Sequence, residues 1–235
     1  MNVEKRVSII KDWIINYVNS MPKKASSLVV GVSGGIDSAV VSTISSMTGI
    51  KTIVLSMPIR QIESQDDLSK LHCNWLEYKF KNTSYLNINL DDVFTNFENA
   101  LGSNDNEHAF ANSRARLRMT TLYQVAGSNN GIVVGTGNKV EDFGVGFYTK
   151  YGDGGVDISP IADCTKSQVW DIGKFLKIDQ KIIDAPPTDG LWTDGRNDED
   201  QLGMSYQDLE EAMINPDSKN FEKYKKIREN NLHKM

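Results

Sequence analysis

The stretch Leu28-Val29-Val30-Gly31-Val32-Ser33-Gly34-Gly35-Ile36-Asp37-Ser38 predicts a strand, a tight loop and the start of a helix. Its first five residues are apolar and largely β-branched, which is typical of a strand buried on both faces of a parallel sheet. The two adjacent glycines can adopt the positive φ angles of a sharp turn. Because apolar residues continue after Ser38, the loop is expected to lead directly into a helix N-terminus.

This loop also has the features of a phosphate site. Backbone N–H groups at a helix N-terminus attract anions, and the hydroxyls of Ser33 and Ser38 add further donors. The Asp37 carboxylate would repel a phosphate unless a divalent cation lay between them, so the pattern predicts a magnesium nucleotide. The simpler alternative is a glycine turn followed by an ordinary Ser or Asp helix cap.

The loop matches neither the Walker sequence nor the dinucleotide fingerprint. It resembles the S-G-G-x-D-S loop of the ATP pyrophosphatases, which cut ATP between its α- and β-phosphates and hold the pyrophosphate there. The resemblance implies that ATP contacts eight consecutive residues, Gly31, Val32, Ser33, Gly34, Gly35, Ile36, Asp37 and Ser38.

Length and composition favour one globular domain spanning residues 1–235, with 39% hydrophobic and 24% charged residues. No window approaches the roughly 20 apolar residues of a membrane span, and the N-terminus lacks the apolar core of a signal peptide. We therefore expect a cytoplasmic protein without membrane association. The net charge of -5 counts against nonspecific binding to nucleic acid. Cys73 and Cys164 are too far apart in sequence to indicate a metal knuckle or a redox pair.

Apolar periodicity predicts alternating helices and strands, and hence an α/β fold: a Rossmann-like, doubly wound, mostly parallel sheet flanked by helices. Helices are predicted near residues 3–17, 38–49, 68–76, 108–126 and from Asn215-Pro216, and further strands at 52–55, 86–90 and 132–134. The polar stretch from Thr188 to Gly203, with Trp192, is suited to a lid or to partner contact.

Several charged residues follow predicted strands or begin helices. Arg60 emerges beyond the second strand, where it is either a nucleotide contact or a solvated loop residue. Lys166 opens a helix after a predicted capping box, Thr165 to Gln168. A cation is unfavourable at that end of the helix dipole unless an anion is bound beside it. Arg114 and Arg118 share a helix face from which Arg116 points away, so the three could equally form a solvated basic surface.

The stretch from Thr136 to Pro160 is a long, glycine-rich loop with little periodicity, which usually means function or disorder. Its aromatic and aliphatic residues argue against disorder. Within it, Glu141 could complete a magnesium site begun by Asp37, and Lys150 offers a point charge for a phosphate or carboxylate.

Two motifs in this region make the resemblance more specific. The stretches GTGNKVEDFG (135–144) and FYTKYGDGG (147–155) resemble the ammonia-dependent NAD synthetases. Further matches are residues 112–119, 159–161, 186–188, 198–203 and the terminal pair His233-Lys234. The resemblance implies a two-step reaction: the carboxylate of deamido-NAD attacks the α-phosphorus of ATP, and ammonia then attacks the acyl adenylate and releases AMP.

The resemblance also implies a role for each matching residue. Thr136, Lys166 and Thr188 would contact ATP, with Arg60 as a further candidate, and Asp37 and Glu141 would hold Mg²⁺. Deamido-NAD would be bound by five residues, Arg116, Lys150, Asp157, His233 and Lys234. Asp153 would lie near the ammonia pocket. The family forms homodimers with deamido-NAD bound across the interface, and we expect the same here.

Two departures and two alternatives remain open. Ser56 stands where many bacterial members carry an arginine, and the chain ends at Met235, directly after the His-Lys pair. One alternative is another ATP pyrophosphatase that adenylates a purine, a tRNA base or a small acid. The other is a nucleotide-binding module without turnover, which would need neither Glu141 nor Lys166.

Overall fold

The computed structural model describes residues 1–61, 63–188, 191 and 197–235. Its strands are β1 (Ser27–Gly31), β2 (Lys51–Ser56), β3 (Thr83–Asn87) and β4 (Gly131–Val133). Its helices are α1 (Val3–Ser20), α2 (Ile36–Met47), α3 (Glu63–Lys79), α4 (Asp91–Leu101), α5 (Glu107–Ser128), α6 (Lys166–Phe175), α7 (Gln180–Ile183), α8 (Asp198–Leu202), α9 (Tyr206–Ile214) and α10 (Phe221–Asn231). A π-helical turn spans Lys139–Val145, and a 3₁₀ turn spans Leu232–Lys234.

The strands form a parallel sheet in the order β3-β2-β1-β4, which confirms the predicted fold class. The chain runs outward from β1 through β2 to β3 and then returns to place β4 on the other side of β1. In open α/β sheets, ligands bind at the carboxyl ends of the strands where the strand order reverses in this way. The fold therefore places the loops after β1 and β4 at the expected binding edge.

The sheet is covered by helices on both faces, which explains why its strands are apolar throughout. Leu28 and Val30 face a core shared with α1, α2 and α6, whereas Val29 and Val133 face a core shared with α4 and α5. β1 thus buries both sets of alternating side chains. The sheet therefore fixes the position of the loop that follows this strand.

A third apolar cluster lies away from the sheet. It joins the π-helical turn to α9 and α10, with Val140, Val145, Tyr206 and Leu209 at its centre. The stretch predicted to be a long ordered loop is therefore anchored by the C-terminal helices.

Three predictions about elements differ from the structure. The third strand begins at Thr83, earlier than predicted, and the last long helix begins at Phe221, since residues 215–220 form turns. The predicted polar lid contains α8 at its C-terminal end, and Trp192 lies outside the described residues. None of the helices in the described part of the chain has the length and apolar character that crossing a membrane requires.

Candidate active site

A cleft opens at the carboxyl edge of the sheet, between the loops that follow β1 and β4. Among its lining residues are nearly all of those predicted to contact ATP or metal: Gly31, Val32, Ser33, Gly35, Ile36, Asp37, Ser38, Thr136, Glu141, Lys166 and Thr188. Asp153, predicted for the ammonia pocket, lines the same cleft. The structure thus gathers residues from four separate sequence segments around one cavity.

The loop after β1 is held in shape by its own polar groups. Gly34 has φ of +94°, which only glycine adopts readily, and the hydroxyls of Ser33 and Ser38 lie 3.2 Å apart. The backbone N–H of Ser33 donates to Ser38 Oγ. Because Gly35 is the N-cap residue of α2 and has no capping side chain, the helix N-terminus faces the cleft as an anion site.

A buried ion cluster lies directly beside this loop. Lys166 Nζ is 2.5 Å from Asp37 Oδ2 and 2.9 Å from Glu141 Oε1. The lysine side chain is only 3% exposed, and the two carboxylates are 16% and 15% exposed. The unfavourable cation at the start of α6 is thereby explained, because it neutralises two carboxylates contributed by α2 and the π-helical turn.

Each carboxylate also accepts a hydrogen bond from a neutral side chain. Asn138 Nδ2 donates to Asp37 Oδ1 at 3.0 Å, and the Tyr206 hydroxyl donates to Glu141 Oε1 at 2.5 Å. The side-chain oxygen Oδ1 of Asn138 accepts in turn from the backbone N–H groups of Val140 and Glu141, and so caps the π-helical turn. The side chains of the cluster are therefore fixed by a surrounding layer of hydrogen bonds.

Burial and charge act in opposite directions on these groups. Burial raises the pKa of Asp37 above its usual value even though Lys166 opposes the shift. Burial also acts to raise the pKa of Glu141, but Lys166 and the Tyr206 hydroxyl outweigh it and hold that pKa below its usual value. Burial disfavours the charged form of Lys166, yet the two carboxylates keep its pKa above the ordinary value, so the lysine is a permanent cation.

Asp142 is a further carboxyl on the cleft wall. Burial, followed by the negative charges of Glu141, Asp153 and Asp37, raises the pKa of Asp142 to about 8. The cleft wall is strongly acidic at this end, and one of its carboxyl groups is readily protonated near neutral pH.

The structure brings a different arginine to the cleft from the one that was predicted to contact ATP. Arg118 lines the cleft, where its guanidinium donates to Gln61 Oε1 and the Met57 carbonyl. Arg60 points away from the cleft to Glu98 and Thr95, with its guanidinium 5.7 Å from the ring centroid of Phe94. The structure therefore does not bring Arg60 to the cleft. A nucleotide contact by Arg60 stays a prediction.

The residues predicted to bind deamido-NAD form a second group beside the cleft. Arg116 Nε donates to the Lys150 carbonyl, and Lys150 Nζ donates to the His233 carbonyl. Lys234 Nζ donates to the Gly146 carbonyl, so the terminal pair lies against residues 146–150 of its own chain. Asp157 instead accepts from the Val133 backbone N–H and the Tyr123 hydroxyl, and so supports β4.

Comparison with known proteins shows the family to which this chain belongs. The family model described as NAD synthase matches residues 6–234. The chain belongs to the NAD synthase family. A relative named NH(3)-dependent NAD(+) synthetase, from Carboxydothermus hydrogenoformans, is 36% identical over 219 residues, covering 91% of this chain and 86% of the relative.

Two solved structures of similar fold have different names. One is titled NMN synthetase from Francisella tularensis, with a TM-score of 0.89, 30% identity and coverage of 100% of this chain and 96% of that one. The other is an NH3-dependent NAD synthetase from Campylobacter jejuni, with a TM-score of 0.79, 26% identity and the same coverage. Both span this member of the NAD synthase family from end to end.

Sequence reasoning missed three residues of the site. Asn138 and Tyr206 hold the carboxylates, and Arg118 lines the cleft. Arg118 follows from the arginine spacing once α5 is known to flank the cleft. Asn138 had a local signal, because Asn is a common N-cap residue and it stands three positions before the predicted metal ligand Glu141. Tyr206 had no local signal, since it meets Glu141 from 65 residues away.

Proposed function

We propose that this chain catalyses the ATP-dependent amidation of deamido-NAD by ammonia, giving NAD, AMP and pyrophosphate. Membership of the NAD synthase family supports this activity. The observation that carries it is the Lys166–Asp37–Glu141 cluster beside the loop after β1. A protein that only retained a nucleotide would need no buried cation poised between two carboxylates.

In the first step, residues 31–38 bind the β- and γ-phosphates through backbone N–H groups at the start of α2. This anchoring leaves the α-phosphorus facing the nicotinate carboxylate, which attacks it in line with the departing pyrophosphate. Lys166 lies within reach of the same loop and stabilises the negative charge on the leaving group. The protein forms no covalent bond in this step.

In the second step, ammonia attacks the carbonyl carbon of the acyl adenylate and AMP departs with the former carboxylate oxygen. Ammonium is the main form near neutral pH, so the nitrogen must lose one proton before it attacks and a second as the amide forms. We assign the binding of ammonium to the acidic end of the cleft, where Asp153 lies. Negative charge there attracts the cation and can accept its proton.

The residues present fit Mg²⁺ held jointly with a nucleotide. Asp37 and Glu141 offer two buried oxygen ligands, and the described residues contain no group of three or more His, Cys, Asp or Glu that could hold a metal. Mg²⁺ is usually bound through one or two carboxylates together with phosphate and water. When bound, it supplies charge that neutralises the departing pyrophosphate. Lys166 would then release the carboxylates and turn to the phosphates.

Product analysis tests the activity directly. Purified protein with ATP, Mg²⁺, ammonium and deamido-NAD is expected to form NAD and AMP in equal amounts. Omission of deamido-NAD should abolish AMP formation. Release of ADP instead of AMP would contradict the pyrophosphatase mechanism. Formation of AMP without deamido-NAD would contradict only the assignment of deamido-NAD as the substrate.

A second candidate is the amidation of nicotinate mononucleotide to NMN. The high TM-score to the structure titled NMN synthetase favours it, because that value exceeds the one for the Campylobacter NAD synthetase. Both substrates present the same nicotinate carboxyl group, so the chemistry described above applies to either. A competition assay with both substrates at equal concentration discriminates them by the ratio of NAD to NMN formed.

We also propose a cytoplasmic homodimer in which the site is shared between protomers. The family resemblance supports this assembly, and the side chains of Arg116 and His233 are exposed and so free to contact a second protomer. Light scattering after gel filtration is expected to give about twice the mass of one chain. A monomer at assay concentration with full activity would contradict the shared site.

A further inference from the structure

Tyr206 connects three parts of the molecule that are distant in sequence. It is the first residue of α9, its side chain is 1% exposed, and it fills the centre of the third apolar cluster. Its ring packs edge-on against Trp170 of α6, with the centroids 6.0 Å apart. Packing therefore holds the ring in place and fixes the position of the hydroxyl.

That hydroxyl is directed into the ion cluster. It lies 2.5 Å from Glu141 Oε1 and 3.1 Å from Asp198 Oδ2. A phenol has one proton to donate, and the shorter distance indicates that Glu141 receives it. The same Glu141 oxygen accepts from Lys166 Nζ, which itself lies 4.7 Å from the centroid of the Tyr206 ring. Tyr206 therefore contacts the anion and the cation of the cluster together.

Glu141 needs such a partner because its backbone does not fix its side chain. It lies in a π-helical turn, and the Lys166 cation that bridges it to Asp37 must leave when the carboxylates bind metal. After that departure, the Tyr206 hydroxyl still donates a hydrogen bond to Glu141 Oε1. Hydrogen bonds of this kind to metal-binding carboxylates typically change metal affinity by 10- to 100-fold.

We propose that Tyr206 is a positioning residue that holds the Glu141 carboxylate toward Asp37, so that the two carboxylates act as one divalent-cation site; this rests on the magnesium site proposed above. The backbone carries the effect further. Asp198, also within reach of the hydroxyl, donates its backbone N–H to the Pro187 carbonyl. Tyr206 therefore lies between Glu141 and Asp198, and Asp198 is hydrogen-bonded to the segment that carries Thr188.

The test measures metal-dependent nucleotide binding without turnover. Calorimetric titration of α,β-methylene-ATP, in Mg²⁺ and separately in EDTA, gives the gain in affinity that the metal provides. Tyr206→Phe keeps the ring and removes the hydroxyl, so it should lose about 10- to 100-fold of that gain and leave binding in EDTA unchanged. Tyr206→Phe should also lower the turnover rate. That rate should recover in part at high Mg²⁺ concentration.

Tyr224→Phe is the matched control, because Tyr224 is buried in the same apolar cluster beside Phe221. It should keep the full metal-dependent gain. A Tyr206→Phe protein with wild-type metal dependence would overturn the positioning role, even if its melting temperature fell, since packing alone would then explain the residue. A wild-type protein without any metal-dependent gain would instead overturn the proposed magnesium site, and this inference with it.

Discussion

Lys166 occupies the position between Asp37 and Glu141 in which we propose that a metal binds. Its ammonium group is held by Asp37 and Glu141 at hydrogen-bonding distance, and all three side chains are largely buried. Two cations cannot share that space, so the lysine should prevent metal binding until a nucleotide draws it away. Ordered binding of metal with ATP, rather than of metal alone, follows from this arrangement.

Replacement of Lys166 should therefore expose a metal site in the free protein. Without metal, Lys166→Met leaves two buried carboxylates unpaired and should lower the free energy of unfolding by about 3 to 5 kcal/mol. Electron paramagnetic resonance should show Mn²⁺ binding to this variant without nucleotide. The wild type and Lys174→Met, which changes an exposed lysine of the same helix, should bind Mn²⁺ only with nucleotide. Tight binding of Mn²⁺ to the wild-type protein in the absence of nucleotide would contradict the blocking role of Lys166.

The individual residues that the sequence could identify are those with a chemical signature in their own segment. Asp37, Glu141 and Lys166 each stood out locally, as a carboxylate in a phosphate loop, a carboxylate in an ordered loop and a cation at a helix start. Tyr206 did not, because a tyrosine that opens a helix is ordinary. Its contact with Glu141 exists only after α9 packs on the π-helical turn.

The loop between β1 and α2 packs closely against α3. A Cβ at Gly34 would lie 2.6 Å from the Gln65 carbonyl oxygen of α3, and its φ is positive. At Gly35 the nearest atom to an added Cβ is Ser33 Oγ at 3.4 Å, which is ordinary contact. Of the two neighbouring glycines, the first is therefore required by the fold and the second is open to substitution.

Alanine at these two positions should behave differently. Gly34→Ala should lower the free energy of unfolding by about 1 to 3 kcal/mol, because the loop must strain or α3 must move. Gly35→Ala should stay within about 0.5 kcal/mol of the wild type. Urea unfolding measures both. Equal stability of the two variants would show that the loop does not pack against α3 as described.

The same pair of helices buries His72. Its Nε2 lies 3.1 Å from the Ala39 carbonyl oxygen and from Ser42 Oγ, and burial lowers the pKa of His72 to about 4 from 6.5. The opposing charge of Asp179 is the smaller effect. Because the folded pKa is the lower one, the unfolded chain binds the proton first as the pH falls.

Stability should consequently be lost on the acid side. The free energy of unfolding should fall by about 3 kcal/mol between pH 6.5 and pH 4 on account of His72, with no effect of this residue above pH 6.5. Between pH 6.5 and pH 4, the urea midpoint of His72→Gln should fall less steeply with pH than that of the wild type. If the urea midpoint of His72→Gln changed with pH as steeply as that of the wild type, another group would cause the loss of stability in acid.

Most helices and strands could be predicted from apolar periodicity, because strands buried on both faces and amphipathic helices have distinct patterns. The boundaries of β3 and α10 could not, since both depend on neighbours. β3 lies at the sheet edge, where burial is incomplete, and the proline after Asn215 lies in a turn that precedes α10. The π-helical turn had no sequence pattern, because the Asn138 cap and packing on α9 and α10 hold it.

The whole molecule brings the two halves of the chemistry to one cleft. The sheet reverses between β1 and β4, which places the phosphate loop beside the segment that carries Glu141 and Asp153. The C-terminal helices then pack on that segment rather than on the sheet. The order of elements therefore separates a loop fixed by the sheet from a wall held by the C-terminal helices, and we propose that the first binds phosphate and the second binds the acid and ammonia.

We propose that the chain activates a nicotinate carboxylate by transferring AMP to it, and an oxygen isotope can follow that transfer. Deamido-NAD labelled with ¹⁸O in both carboxylate oxygens is turned over with ATP, Mg²⁺ and ammonium, and the products are analysed by mass spectrometry. One ¹⁸O should appear in AMP and one should remain in the amide of NAD. Label in inorganic phosphate, or AMP without label, would contradict adenylation of the carboxylate.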